Sequence, residues 1–345
     1  MYFQMVARIK NDRKQPVVNF QDLHSLLKNP SYAALLFQSV KSIKWFEYNE
    51  LLSLSTSSVN KNPDMTSLRP LCEQLYKYES DLYKKLFQQQ NPSDYSWFQT
   101  AISSGTFKDR LAAHVSMIKR SSLHSLFELE YLVQLLRNNL QHRRECIEIM
   151  EILKDIFIQD YLPQQKKLLT IEQHDLSSIK TQNPDDMKRI AILWFLQDKL
   201  KRLYSSYLDS LQKISHDPIE NIRIKAIVTI QHLLVQRPEL EKRLLELLID
   251  KLGDPDHTAA AKTLHLCNKL CKLLSVKDDV SSKYFALLLG GVTRALAFAK
   301  VNIEKILEHL NDLFRIVHSK NFNTSVRALQ LLFKISEQKY VDCRI

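Results

Sequence analysis

Residues 303–335 place Ile303, Ile306, Leu307, Leu310, Leu313, Phe314 and Val317 at three- and four-residue steps, the spacing of one helical face. The polar run Ser319–Ser325 interrupts the pattern; its Asn and Ser side chains compete for backbone hydrogen bonds and can cap a new helix. A second apolar series follows in Leu329, Leu332 and Phe333. The predicted unit is a helical hairpin, which cannot bury both of its stripes without neighbours. Such a chain must therefore fold by leaning hairpins on one another.

A repeat of this kind is clearest from Asp217 onward. Asp217-Pro218 supplies a capping acceptor followed by the imino acid that suits the first helical position. A helix is predicted from there to about Gln236, with Arg237-Pro238 as the turn and 238–252 as the return helix. Gly253 stops it, and Asp254-Pro255 opens the next helix, close to one HEAT or armadillo period after Asp217. Asp217 followed by Ile222-Arg223 resembles the Asp…Val-Arg pattern of HEAT repeats, and Asn321 before Val326-Arg327 echoes it.

Glycine is present only 4 times in 345 residues. Folds that cradle phosphates on Gly-rich strand-to-helix loops need more, and the one adjacent pair, Gly290-Gly291, lies within an apolar helical run. The expected class is all-α, a HEAT/armadillo-like α-solenoid of stacked helical hairpins. Residues 1–5 read as an expression-tag remnant, 6–103 as a divergent N-terminal helical region and 104–345 as the helical-repeat region. In the N-terminal region Leu71, Leu75, Tyr78, Leu82 and Leu86 mark an expected buried face, and Asn91-Pro92 a break. Further on, Cys146, Ile149, Met150, Leu153, Ile156 and Phe157 share one face of a helix closed by Pro163. Residues 172–186 read as a polar loop.

The formal charge of +11 favours an acidic partner, nucleic acid or an acidic protein segment. Basic candidates for that surface are Arg143, Arg144, Lys166, Lys167, Lys199, Lys201, Arg202, Lys242, Arg243, Arg294 and Lys320, each also readable as a solvated helix face. Asp217, Arg223, Asp254 and Arg327 are the structural repeat positions. An Arg there can bridge neighbouring turns through an Asp or a helix end, a reading preferred over direct phosphate contact. No catalytic constellation is found, so neither an enzyme nor a cofactor is expected. His265, Cys267 and Cys271 could share a metal face but lack further ligands at metal spacing, and small thiols fill helix cores. Five scattered cysteines fit a reducing compartment, and no apolar run is long enough to span a membrane.

Several blocks, in order, resemble the CCAAT-binding-factor family of nucleolar proteins that assemble the large ribosomal subunit. They are Gly105–Leu136, Cys146–Leu168, Ser215–Ile227, Leu247–Lys262, Lys283–Lys300 and His309–Ile335, so the likeness covers roughly 104–340. The last two are the most specific. The stretch between the Leu252-Gly253-Asp254 step and the Gly290 block is short for the family, with only about Cys271 to Ser282 remaining. Leu288-Leu289-Gly290-Gly291-Val292-Thr293-Arg294 stands where members read Leu-Leu-Thr-Gly-Val-Asn-Arg, and Ile345 closes the chain soon after the last block. The resemblance implies a non-enzymatic scaffold in the nucleolus that pairs with another nucleolar-complex helical-repeat protein and binds pre-ribosomal RNA particles. Two other readings stand beside it: a CCAAT-box DNA-binding transcription regulator, as the family name implies, and a general protein-binding α-solenoid. None involves a membrane.

Overall fold

The computed structural model describes residues 20–28, 32, 34–37, 44–48, 63–174, 176, 183–274 and 325–333. Among these the protein is helical and no strand occurs. The helices are α1 (Phe20–Leu27), α2 (Arg69–Gln90), α3 (Pro92–Ser104), α4 (Phe107–Arg120), α5 (Leu126–Asn138) and α6 (Arg143–Ile156). They continue with α7 (Pro184–Ile214), α8 (Glu220–Gln236), α9 (Glu241–Asp250), α10 (His257–Leu274) and α11 (325–333). Short 3-10 turns lie at Pro63–Leu68, Ile171–Gln173 and Lys251–Gly253, and a π turn, Phe157–Tyr161, continues α6.

Local chemistry sets the breaks. Pro92 occupies the first turn of α3, where its missing N–H costs nothing. A side chain at Gly105 would place its Cβ 2.3 Å from the Ala101 carbonyl, so the chain leaves α3 at a residue without one. One residue later Thr106 accepts from the Asp109 amide (3.3 Å), and Asp109 accepts from the Thr106 amide (3.0 Å). This reciprocal cap starts α4, and the Thr106 hydroxyl (2.7 Å) and amide, both donating to the exposed Asp109 carboxyl, hold it below its ordinary range.

The chain divides into two compact units, residues 1–135 with 155–206, and residues 136–154 with 207–345. In the first, α7 is buried on every side from Ile190 to Leu196, and Leu200 and Tyr204 continue its core face. α2 runs beside α1 and α3. It buries Cys72, Leu75, Tyr76, Glu79 and Ser80; of the expected face Leu75 is buried, Leu71, Leu82 and Leu86 are half-buried and Tyr78 is exposed. Glu79, fully buried, turns the helix, since it accepts from Tyr32 Oη (2.7 Å) and the Phe37 amide (3.0 Å). Tyr76 donates to the Leu123 carbonyl (2.7 Å) and accepts from the Leu126 amide (3.0 Å), so one hydroxyl closes the turn between α4 and α5. Tyr161 donates to the Ser125 carbonyl (3.2 Å), and Trp45 Nε1 donates to the Tyr161 carbonyl (3.1 Å).

In the second unit, Cys146, Ile149, Met150 and Leu153, from the expected face of α6, are buried, as are Ile156 and Phe157 just beyond the boundary. Tyr207 donates to the Met150 carbonyl (2.8 Å). α8 ends at Gln236, as its spacing predicts, and packs on both α9 and α10. The Asp-Pro pairs do not act as expected. Asp217 accepts from the Ile219 amide (2.8 Å) and Asp254 from the Asp256 amide (3.1 Å), so each closes a turn two residues long before its helix begins. α10 is capped by Asp256, which accepts from Thr258 (2.8 Å) and Ala259 (3.1 Å). The Gly290-Gly291 pair, residues 1–5 and 303–317 lie outside the described residues.

Two stability predictions follow from the first unit. Tyr76→Phe leaves a buried carbonyl and a buried amide without their partner and lowers unfolding free energy by about 2 kcal/mol in urea titrations. His174 stacks on Trp194 (4.8 Å between centroids), and burial lowers its pKa from 6.5 to about 3. Below pH 6.5 the unfolded chain binds a proton there that the folded chain refuses, so stability falls on acidification. Between pH 7 and pH 5 the wild type loses about 2 kcal/mol more than His174→Phe.

Candidate nucleic-acid interface

The best-defined polar assembly in the second unit joins successive helix-opening loops. Arg223, in the first turn of α8, donates through Nη1 to the carbonyls of Asp217 (2.9 Å) and Pro218 (3.0 Å). Its Nη2 lies 3.3 Å from Asp254 Oδ1 and 4.0 Å from Asp256. One planar fork thus ties the turn before its own helix to the turn before α10, a task suited to guanidinium. The Arg223 side chain is 12% exposed and that of Asp254 2%, so this is an interior contact. Lys251 Nζ stands 3.9 Å from the other Asp254 oxygen; burial pulls its pKa down, with Asp254 opposing. Arg143 Nε meets both Asp217 oxygens, at 3.1 and 3.2 Å, and extends the chain to the start of α6. Asp256 and Lys251 were not singled out in the sequence; an Asp three residues before Ala259 and two before Thr258 is the signal that marks the α10 cap.

The structure gives the other basic candidates different surroundings. Lys199 pairs with Glu130 (2.7 Å), and Arg202 with Asp198 (2.7 Å), a carboxylate that also accepts from Arg69 (3.2 Å). Lys201 donates to the Leu168 carbonyl (2.7 Å), and Arg243 pairs with Asp209. Lys166 and Lys167 are exposed in the segment after Pro163. Arg144 and Lys242 are exposed and form no ion pair among the described residues. Arg327 is also exposed without an ion pair there. Arg294, Lys320 and Asn321 lie outside the described residues.

No group of three or more His, Cys, Asp or Glu side chains gathers at metal-binding distance among the described residues. Cys267 is buried while His265 is exposed, which separates that pair onto different faces of α10; the Cys271 side chain is not described. Burial raises the thiol pKa of Cys72 to about 12 and of Cys146 to about 11, so both stay protonated and poorly nucleophilic at neutral pH. No described helix is long and apolar enough to cross a membrane.

Removing Arg223 leaves a nearly buried carboxylate with the Asp256 amide and, as its one cation among the described residues, Lys251 at 3.9 Å. Arg223→Met is expected to lower unfolding free energy by about 3 kcal/mol. Asp254→Asn in that background should recover part of the loss, so the two changes fall short of additivity in denaturant titrations. Simple additivity would mean that Arg223 and Asp254 act independently.

No family model matches the chain. Over 404 residues it is 28% identical to CCAAT/enhancer-binding protein zeta of Mus musculus, a match that covers 98% of this chain and 37% of that protein. It is 29% identical over 210 residues to Nucleolar complex protein 1 of Drosophila melanogaster, covering 59% of this chain and 17% of that protein. It is 23% identical over 383 residues to Ribosome biogenesis protein NOC1 of Chaetomium thermophilum, covering 80% and 36%. The chain thus spans well under half the length of these relatives. The 404-residue alignment also exceeds the 345 residues of the chain, so the mouse protein carries residues inside the matched span that have no counterpart here. In an all-helical architecture, the chain is thus similar along nearly its whole length to proteins named for CCAAT binding, and over shorter spans to proteins named for the nucleolar complex and ribosome biogenesis.

Proposed function

We propose that the chain is a non-enzymatic scaffold of large-ribosomal-subunit assembly, resident in the nucleolus, that binds pre-ribosomal RNA and pairs with another helical-repeat protein of the nucleolar complex. The observation that carries this reading is the similarity along 59% of the chain to a protein named for the nucleolar complex and along 80% to one named for ribosome biogenesis, beside the 98% match to CCAAT/enhancer-binding protein zeta. The fold is read as a HEAT/armadillo-like α-solenoid. In support, α8 packs on α9 and α10, and Arg223 joins two Asp-Pro loops one hairpin apart. An array of that kind offers extended surface, and a charge of +11 supplies salt-dependent attraction to phosphate without base readout.

A second reading follows from the relatives' name, CCAAT/enhancer-binding protein zeta: sequence-specific contact with DNA. Major-groove readout needs several base-contacting side chains in a row on one helix. Arg144 and Lys242, two candidate cations that form no ion pair among the described residues, sit on different helices, α6 and α9. That arrangement favours backbone attraction over base recognition.

Gradient sedimentation of tagged protein with RNA cross-linking tests the scaffold reading: the protein should travel with large pre-ribosomal particles and cross-link to their RNA. Migration in the light fractions without cross-linked RNA rejects it, and retention on a CCAAT duplex over a scrambled one at physiological salt favours the DNA reading. Arg144→Glu combined with Lys242→Glu should weaken RNA binding about tenfold at low salt and reduce its salt dependence, while unfolding free energy stays within about 0.5 kcal/mol.

A further inference from the structure

We propose that Trp97 is a stacking platform for an unpaired RNA base and that the α3–α4 hairpin holds the strand against it. This rests on the RNA-binding reading above and gives it a location. The chain has 3 tryptophans. Trp45 and Trp194 are 1% exposed, within the core of the first unit; Trp97 is 54% exposed. A core role does not account for it, because α3 buries its other face through Phe98 and Ala101 against Ala113. The Trp97 ring instead stands over that small core, its centroid 5.1 Å from that of Phe98 in an edge-on arrangement. The contact braces the indole and leaves its surface to solvent.

Its surroundings select the occupant. Ser93, Ser96, Thr100 and Ser104, the residues one or two turns away or adjacent on the same helix, are all exposed. Trp97 is the one large hydrophobic residue exposed on α3 or α4. A protein partner needs a contiguous face of about 800 Å², and one indole in a field of hydroxyls falls far short. A nucleobase needs only an aromatic plane.

Charge points the same way. Residues 92–120 carry four Lys or Arg and two Asp, and both carboxylates are committed. Asp94 accepts from Arg120 (2.8 Å), whose guanidinium lies over Phe87 at 4.5 Å; Asp109 caps α4. Lys108 and Arg110 are exposed and form no ion pair among the described residues, and Lys119 is close enough to Asp160 to act on its carboxyl. The Arg120–Asp94 contact aligns α3 and α4 antiparallel. Trp97 therefore stands between the Lys119-Arg120 end of the hairpin and the Lys108/Arg110 end, which lies about 10 Å along the axis. A strand laid along the hairpin meets cations on either side of the ring.

The other two tryptophans emit as well but are buried beyond a ligand's reach, so a change in emission on adding ligand reports on Trp97. The test is a fluorescence titration with single-stranded oligouridylate of about twelve nucleotides, beside an RNA duplex of equal length. The single strand should quench the emission. Trp97→Ala should weaken its binding about tenfold, Trp97→Phe less than threefold, and neither should alter duplex binding or the melting temperature. Lys108→Glu with Arg110→Glu should lower the salt slope by about 1.4. Single-strand binding that leaves emission unchanged and is equal in Trp97→Ala overturns the proposal while the RNA reading stands. If neither RNA binds the wild type, both fall. Emission that answers to an acidic amphipathic peptide and to neither RNA makes Trp97 a protein contact, which overturns the proposal as well.

Discussion

Helices packed side by side satisfy their own backbones but leave every connecting turn with carbonyls and amides that no ladder reaches. In this protein those groups are answered by side chains from other elements. Tyr76 serves both the carbonyl of Leu123 and the amide of Leu126, and Tyr161 the carbonyl of Ser125. Lys201 serves Leu168, and Arg223 serves Asp217 and Pro218 together. Each side chain sits at the end of a long apolar stem, so it contributes to the core and fixes a turn at once. Apolar stripes bring the helices together without strong direction. These polar ties determine where one helix stops and the next begins.

The same economy governs the charge. Several prominent cations, Arg69, Lys199, Arg202, Arg223 and Arg243, are matched with carboxylates inside their own unit. Pairing spends a cation locally but does not change the sum, so the net +11 persists as a field over the molecule. Such a field attracts polyanions and carries no orientation. Orientation has to come from side chains that keep their charge or aromatic face toward solvent, such as Arg144, Lys242, Lys108, Arg110 and Trp97. Most basic clusters visible in the sequence therefore have structural partners, while isolated cations with none become the ones of functional interest.

What the sequence makes legible is set by periodicity. The α6 stripe from Cys146 to Phe157 and the end of α8 at Gln236 are read from spacing alone, because a helical face repeats every turn. Asp217, Arg223 and Asp254 stand out for the same reason, and the structure gathers them at one junction. Spacing fails where one buried polar group outweighs several apolar ones. Glu79 rotates α2 away from the face that Leu71, Tyr78 and Leu82 would select, since its two hydrogen bonds to Tyr32 and Phe37 exist only in the folded chain. It fails again at the Asp-Pro pairs, where the aspartate closes its own short turn and leaves the cap of α10 to Asp256. Nor does a local pattern announce that Arg69 meets Asp198, or Arg243 meets Asp209, across long loops of chain.

The relatives share 23% to 29% of their aligned residues with this chain, and the two kinds of contact differ in how much exchange they tolerate. An apolar stripe asks for hydrophobic volume and tolerates exchange among Leu, Ile, Val and Met at a cost usually under about 1.5 kcal/mol. A turn tie asks for a particular donor at the end of a stem of particular length, and few replacements supply both. Trp97 fits neither demand. It fills no cavity, closes no turn, and keeps more than half of its surface in water. Its helix pairs Asp94 with Arg120, and the remaining carboxylate of the hairpin, Asp109, is taken up in the α4 cap, so the chemistry around the indole admits a flat, polyanionic visitor more readily than a second protein.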